Sequence, residues 1–195
     1  FVNRTFEPYR GIHSFMLSLA KVQSSCPDAE IVLVGNDTPN VSYGSRRTDN
    51  IGWFSYFKNQ LADEINWSKV HAVGKLQHSD LINLYQISSA HVYLTYPFVL
   101  SWSLLEAMSC GCVVIGSDTL PVREIIDHQN NGLLVPFSDS DAIANQIIDV
   151  VNNQEKYSSL RLSARNTILT NYDLNKCLYR QISLIDFLAS GAIAA

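Results

Sequence analysis

Residues 90–135 read AHVYLTYPFVLSWSLLEAMSCGCVVIGSDTLPVREIIDHQNNGLLV, and their rhythm decides the fold. An apolar run, Ala90 to Thr95, is followed by a short loop and a helix start near Ser101 to Ser103. A second apolar run, Cys112 to Gly116, leads into a short helix whose first turn holds Pro121. Asn131-Gly132 then turns into a third run, Gly132 to Val135. Proline suits a first helical turn and Asn-Gly a tight turn. The runs are near-continuously apolar, the pattern of parallel strands covered on both faces rather than of strands with one wet face.

The same alternation extends toward the N-terminus. Glu30 to Gly35 and Val70 to Gly74 are further strand runs, and a partial strand at Phe1 to Asn3 opens the sheet. Between them, Ile12 to Val22 sets Phe15, Leu19 and Val22 on one helical stripe. Leu81, Leu84 and Tyr85 follow a helix cap at Ser79 or Asp80. Beyond the last strand, the Ser-Asp cluster FSDSD starts a helix over Asp141 to Val151. Two more helices, about Gln154 to Thr170 and Leu174 to Leu188, close the chain, and its final small residues read as a fraying tail. Strands alternating with helices imply a doubly wound, Rossmann-like α/β domain with helices on both faces and a helical C-terminus. Asn36 to Phe57, rich in Asn, Ser, Gly, Thr and Arg, breaks the rhythm as a long mobile insertion. Its aromatics Trp53, Phe54, Tyr56 and Phe57 are either exposed for packing on another domain or part of the core.

Composition narrows the function. With 195 residues, 47% of them hydrophobic and 16% charged, the chain has the balance of one globular domain. A net charge of −4 argues against a nucleic-acid binder, so any bound anion must be held by local cations or backbone N–H groups. No apolar run approaches the roughly 20 residues of a membrane span. Cys26, Cys110, Cys112 and Cys177 lack metal-ligand spacing and read as buried free thiols. The five histidines, His13, His71, His78, His91 and His128, are scattered, and His91 reads as a satisfied core histidine. No metal site is expected. GxGxxG is absent, which weakens a nicotinamide-dinucleotide reading.

In open α/β sheets, ligands bind beyond the carboxyl ends of the strands, so the loops there hold the candidate chemistry. Arg4 follows the opening strand and Arg10 precedes the first helix. They are either a pair of guanidiniums facing one phosphate site or two surface arginines, one paired with Glu7. Gly74, Lys75 and Leu76 offer backbone groups, a cation and an apolar edge. The helix start near Ser101 is an anion site in principle. Glu106 lies one turn inside that helix and accepts from vicinal hydroxyls, or it closes a capping box with Ser103. Glu124 ties its turn to neighbouring structure.

Taken together, these loops resemble the C-terminal domain of retaining glycosyltransferases of the GT-B fold, group 1 (family 4). Arg4 and Arg10, with Gly11 behind, resemble the family's R-x5-K/R-G element. The run DAEIVLVGND resembles its following strand. VHAVGKLQHSDLINLYQISSAHVYLT resembles its nucleobase segment, with Gly74, Lys75, Leu76 and Leu81 at the base. LLEAMSCGCVVIGSDTLPVREIIDHQNNGLLVPFSD is similar to its most specific stretch, in which Glu106 is the second glutamate of E-x7-E and holds the ribose. The first glutamate is replaced by Phe98, and Val99-Leu100-Ser101-Trp102 replaces a glycine-rich turn.

The resemblance implies that this chain is one half of a GT-B fold, an excised segment lacking the N-terminal acceptor domain. It implies a metal-independent, retaining glycosyltransferase of hexosyl type, with Arg4 and Arg10 stabilising the departing diphosphate. Val99, Leu100, Ser101 and Trp102 would face the donor. The nucleotide sugar is a substrate, and no cofactor is implied. A sugar, lipid-linked or polysaccharide acceptor would be held by the absent domain. The resemblance further implies carbohydrate biosynthesis in the cytoplasm, with the intact protein at the inner face of the membrane. Two alternatives carry the same sequence: half of a nucleotide-sugar epimerase, or a degenerate module that binds a nucleotide or a partner without transfer, which Phe98 favours.

Overall fold

The computed structural model describes residues 1–190. Six strands, β1 (Val2–Thr5), β2 (Ile31–Asn36), β3 (Val70–Ala72), β4 (His91–Tyr93), β5 (Val114–Ser117) and β6 (Leu133–Val135), alternate with helices. The helices are α1 (Ile12–Ser25), α2 (Trp53–Gln60), α3 (His78–Ile87), α4 (Trp102–Ser109), α5 (Leu120–Arg123), α6 (Ser140–Asn152), α7 (Ser158–Asn171) and α8 (Leu174–Ala189). All ladders are parallel, in two three-stranded sheets of order β1-β2-β3 and β4-β5-β6. β1 and β4 lie side by side where the strand order reverses, with no ladder between them among the described residues.

Strand β5 shows why its sequence is apolar without alternation. Val113 and Ile115 point into one core with Ile12, Met16 and Leu19 of α1 and Ile143, Ala144 and Ile147 of α6. Val114 points into the other, with Tyr85 of α3, Leu104, Ala107 and Met108 of α4, and Ala164 and Ile168 of α7. Side chains alternate across a strand, so a strand buried on both faces must be apolar at every position. Helices α1 and α6 pack together on one face, and α4 and α7 on the other.

Several boundaries differ from the sequence reading. Arg4 lies inside β1 rather than after it. β4 stops at Tyr93 because Ser117 takes over from the ladder: its hydroxyl accepts from Thr95 N (3.0 Å) and donates to Thr95 O (2.9 Å). α3 starts at His78 behind Gln77, one turn position before the expected caps. α6 is capped as the Ser-Asp cluster suggests, with the Asp139 carboxylate accepting from Ala142 N at 2.9 Å. The helix read from Gln154 is a 3-10 turn, Gln154–Tyr157, followed by α7. The expected fraying tail falls largely on residues 191–195, outside the described residues.

The insertion after β2 holds a helix, α2, started by Asp37, whose carboxylate accepts from Phe54 N (3.1 Å) and Ser55 N (3.0 Å). Phe54 is buried in the core, while Trp53 and Phe57 are half-buried against it, so the core reading of these aromatics holds. Asn131, not Glu124, ties the α5–β6 turn together. Its amide donates to Ile125 O and Thr167 Oγ1 (both 3.0 Å) and its oxygen accepts from Asp127 N (2.8 Å), whereas Glu124 is exposed and its side chain has no described hydrogen bond. All four cysteines are free, but only Cys26 and Cys112 are buried; Cys110 and Cys177 are half-buried. His91 is a core residue as expected, yet its Nε2 has no hydrogen-bond partner, so it is not a satisfied one.

Candidate anion-binding site

The loop from β1 to α1 is shaped by three residues. Pro8–Arg10 forms one 3-10 turn, closed by Gly11 in the left-handed region (φ 72°), which also begins α1. A Cβ at Gly11 would stand 2.3 Å from Leu94 Cβ, so only glycine lets this loop lie against the loop after β4. Asn3 Nδ2 donates to Arg10 O at 3.4 Å and fixes the turn to β1.

Arg10 is thereby aimed across the carboxyl ends of β1 and β4. Its Nη1 donates to Thr95 Oγ1 (3.1 Å) and to Val99 O (3.0 Å). Its guanidinium carbon lies 5.8 Å from the Tyr43 ring and 5.7 Å from the Phe98 ring, which meet each other edge to face at 4.7 Å. Among the described residues no carboxylate pairs with it. Neutral oxygens and ring faces hold the cation in place while leaving its charge uncompensated.

Glu7 is not the partner of either arginine. It is buried, and its Oε2 accepts from Ser42 N (2.7 Å) and Tyr43 N (3.0 Å). A carboxylate in the β1–α1 loop therefore clasps the tip of the insertion, which is how Tyr43 reaches Phe98. The insertion, expected from composition to be long and mobile, is tied to the β1–α1 loop at Ser42 and Tyr43. Arg4 is exposed on β1 and makes no described hydrogen bond or ion pair, so the contacts that fix Arg10 do not include it.

The start of α4 forms the opposite side. Ser101 is its cap, its Oγ accepting from Ser103 N at 3.5 Å, and Ser101 N donates to the Tyr93 hydroxyl at 2.7 Å. Burial raises the Tyr93 phenol above its ordinary range, so the hydroxyl stays neutral. Trp102 and Val99 are exposed at the mouth, and Leu100 is half-buried against the second core. The capping box does not form. Glu106 reaches instead from α4 to α3, where its Oε1 lies 3.1 Å from His78 Nε2.

The loop after β3 flanks this pair. Gly74 has φ 69° with open space where a Cβ would be, and its carbonyl accepts from Gly35 N at 2.8 Å. Lys75 is exposed without a described ion pair, Leu76 is half-buried, and Leu81 packs against the second core. The structure thus ties Arg10 to Val99 and sets Gly11 against Leu94, and it links Glu106 to the segment that follows Lys75.

Sequence reasoning missed Glu7 as an anchor, Tyr43, Tyr93, Thr95 and His78. Thr95 and Tyr93 end an apolar run and were visible as loop-facing positions. Tyr43 sits in an insertion whose composition says nothing of where it folds back.

A parallel α/β domain with a free arginine and a helix start at the reversal of strand order is the class of fold that takes an anionic ligand there. The chain belongs to the family of glycosyl transferases group 1, whose model matches residues 1–167. It is 26% identical over 159 residues to the phosphatidyl-myo-inositol mannosyltransferase of Mycolicibacterium smegmatis, covering 80% of this chain and 36% of that protein. Anabaena HepE, crystallised with UDP-glucose, superposes with a TM-score of 0.79 at 20% identity, over 97% of this chain and 48% of HepE. The C-terminal domain of LpcC, a group 1 family protein of Francisella tularensis, gives 0.72 at 17% identity, over 89% of this chain and 85% of that domain. The fold is that of the GT-B glycosyltransferases, and the chain spans half or less of the length of the first two proteins. Among the described residues, no helix is long and apolar enough to cross a membrane.

Proposed function

We propose that this domain holds the nucleotide diphosphate of a sugar donor for a GT-B glycosyltransferase, transferring a hexosyl group with retention to an acceptor bound by a partner domain. The observation that carries it is Arg10: a cation fixed over the strand ends by Thr95 Oγ1 and Val99 O, with no carboxylate to neutralise it. A diphosphate oxygen completes that arrangement. The similarity to HepE, seen with UDP-glucose, supports a nucleotide sugar as the ligand.

The chemistry follows from charge. As the sugar leaves, negative charge builds on the diphosphate, and Arg10 and the start of α4 at Ser101 stabilise it without reorganising, with Arg4 as a further cation on the same strand end. These groups supply the positive charge without a metal or cofactor. Gly74, Lys75 and Leu76 border the base, Leu81 backs that loop, and Glu106 takes the ribose. Gly11 sets the approach of the loop, while Val99, Leu100, Ser101 and Trp102 form the rim. The acceptor, whether sugar, lipid-linked or polysaccharide, is held elsewhere in the intact protein.

Calorimetric titration of the chain with UDP, GDP and ADP, repeated for Arg10→Ala and Glu106→Ala, tests this. Selective binding of one nucleotide, weakened by both changes, is expected. Failure of all three to bind, with the fold intact by circular dichroism, overturns it. Sugar transfer by this chain alone would refute the assignment of the acceptor to another domain.

A further inference from the structure

His78 carries no role in the reading above, yet it is the only described hydrogen-bond partner of the Glu106 side chain. The Glu106 side chain is 25% exposed and His78 72% exposed, so the pair sits at the lip of the α3–α4 contact with the imidazole outermost. Glu106 is released for this pairing because Ser101, not Glu106, closes the start of α4. His78 is the first residue of α3, three positions beyond Lys75, so it stands between the loop assigned to the base and the carboxylate assigned to the ribose.

We propose that His78 is a positioning residue for the ribose of the nucleotide: it fixes the Glu106 carboxylate so that the sugar hydroxyls meet an acceptor already in place. This rests on the donor-site reading and deepens it. A carboxylate has two oxygens and about four acceptor positions, and His78 engages only Oε1. Oε2 has no described partner and is left for a hydroxyl of the vicinal pair. A half-buried glutamate without a partner still samples several rotamers, and holding one of them in the free protein removes an ordering cost from binding. The imidazole also keeps Oε1 paired, so the diol does not have to strip both oxygens of water.

The test is a coupling measurement on the whole chain. Affinities of UDP, GDP and ADP, and of their 2′-deoxy and 3′-deoxy forms, are measured for the parent, His78→Ala, His78→Gln and Glu106→Gln. His78→Ala is expected to weaken the cognate ribonucleotide about 3- to 10-fold. The same change should leave the affinity of at least one deoxy form unaltered, and His78→Gln, which keeps an N–H near the carboxylate, should restore most of the loss. Equal losses on ribo and deoxy forms would mean that His78 merely supports the loop, and would overturn the proposal. If Glu106→Gln distinguishes ribo from deoxy while His78→Ala does not, the ribose reading of Glu106 stands and the role of His78 falls. If neither distinguishes them, or no nucleotide binds, the reading itself fails and this inference with it. His78 is exposed, so its variants should retain the parent's melting temperature, and a loss of fold is not an available explanation.

Discussion

Gly11→Ala tests the geometry on which the site depends. The residue has φ 72°, where an alanine costs about 1–2 kcal/mol. Its new Cβ would stand 2.3 Å from Leu94 Cβ, 2.9 Å from Cδ1 and 3.2 Å from Cγ. The nearest atom is Cβ, so no rotamer of Leu94 relieves the overlap and the backbone of one loop must move. Overpacking of this kind costs roughly 1–3 kcal/mol. The sum centres on about 3.5 kcal/mol, which for a domain of this size lowers Tm on the order of 10 °C. Gly74→Ala is the matched control. It has φ 69° but nothing within 4 Å of the new Cβ, so it should lose only the backbone cost of about 1–2 kcal/mol and a few degrees. Urea and thermal unfolding of both variants measure the difference. Because Arg10 precedes Gly11, the same shift should also weaken nucleotide binding. Equal destabilisation of the two variants would refute the close approach of the β1–α1 and β4–α4 loops, and with it the placement of Arg10.

Three further outcomes are expected. Arg10→Lys should recover only part of the diphosphate affinity, remaining roughly 10-fold weaker than the parent by calorimetry, because a point charge cannot keep both the Thr95 and Val99 contacts and still face an anion; full recovery would mean that charge alone matters. Glu7→Gln replaces a buried carboxyl group that accepts from two N–H groups with an amide whose NH₂ cannot accept, and should cost about 1–3 kcal/mol and open the 37–52 loop to limited proteolysis. Burial holds the His91 imidazole well below its ordinary value, so it stays neutral in the fold and takes up a proton on unfolding. The stability it contributes is present above about pH 6.5 and is lost as pH falls. His91→Leu should therefore flatten the decline in urea midpoint between about pH 6.5 and 5, and an unchanged slope would assign that decline to other groups.

The fold was legible because its strands are covered on both faces. Val113, Val114 and Ile115 serve two cores at once, which forces the apolar run that reads directly as a parallel strand. Loop positions were legible for the same reason: each follows such a run. Contacts between loops were not. The pairing of Glu106 with His78 joins residues 28 apart, and the clasp of Glu7 on Tyr43 joins residues 36 apart. Ser103 and Glu106 had the spacing of a capping box, but Ser101 took the cap because its N–H is fixed by the hydroxyl of Tyr93, eight residues earlier at the end of β4. Local spacing names the alternatives at such a site, and tertiary contacts choose between them.

Phe98 shows how a departure from a family pattern acquires a physical meaning. Taken alone, an aromatic residue in place of a carboxylate reads as loss of function. In the structure, Phe98 meets Tyr43 edge to face at 4.7 Å, and both rings lie within 6 Å of the Arg10 guanidinium. Tyr43 comes from the long β2–α2 insertion, and Glu7 delivers it there. The substitution at position 98 and the insertion therefore form one device. A carboxylate at position 98, this close to Arg10, would offer it an ion-pair partner that Phe98 does not. Two rings and two neutral oxygens keep that cation in position, without a carboxylate partner among the described residues. What changes is the surface beside it, which offers ring faces where a carboxylate would have offered hydrogen-bond acceptors. If the proposed donor phosphate sits on Arg10, the group attached to it meets that aromatic surface first, and ring faces rather than acceptors are what the surface offers.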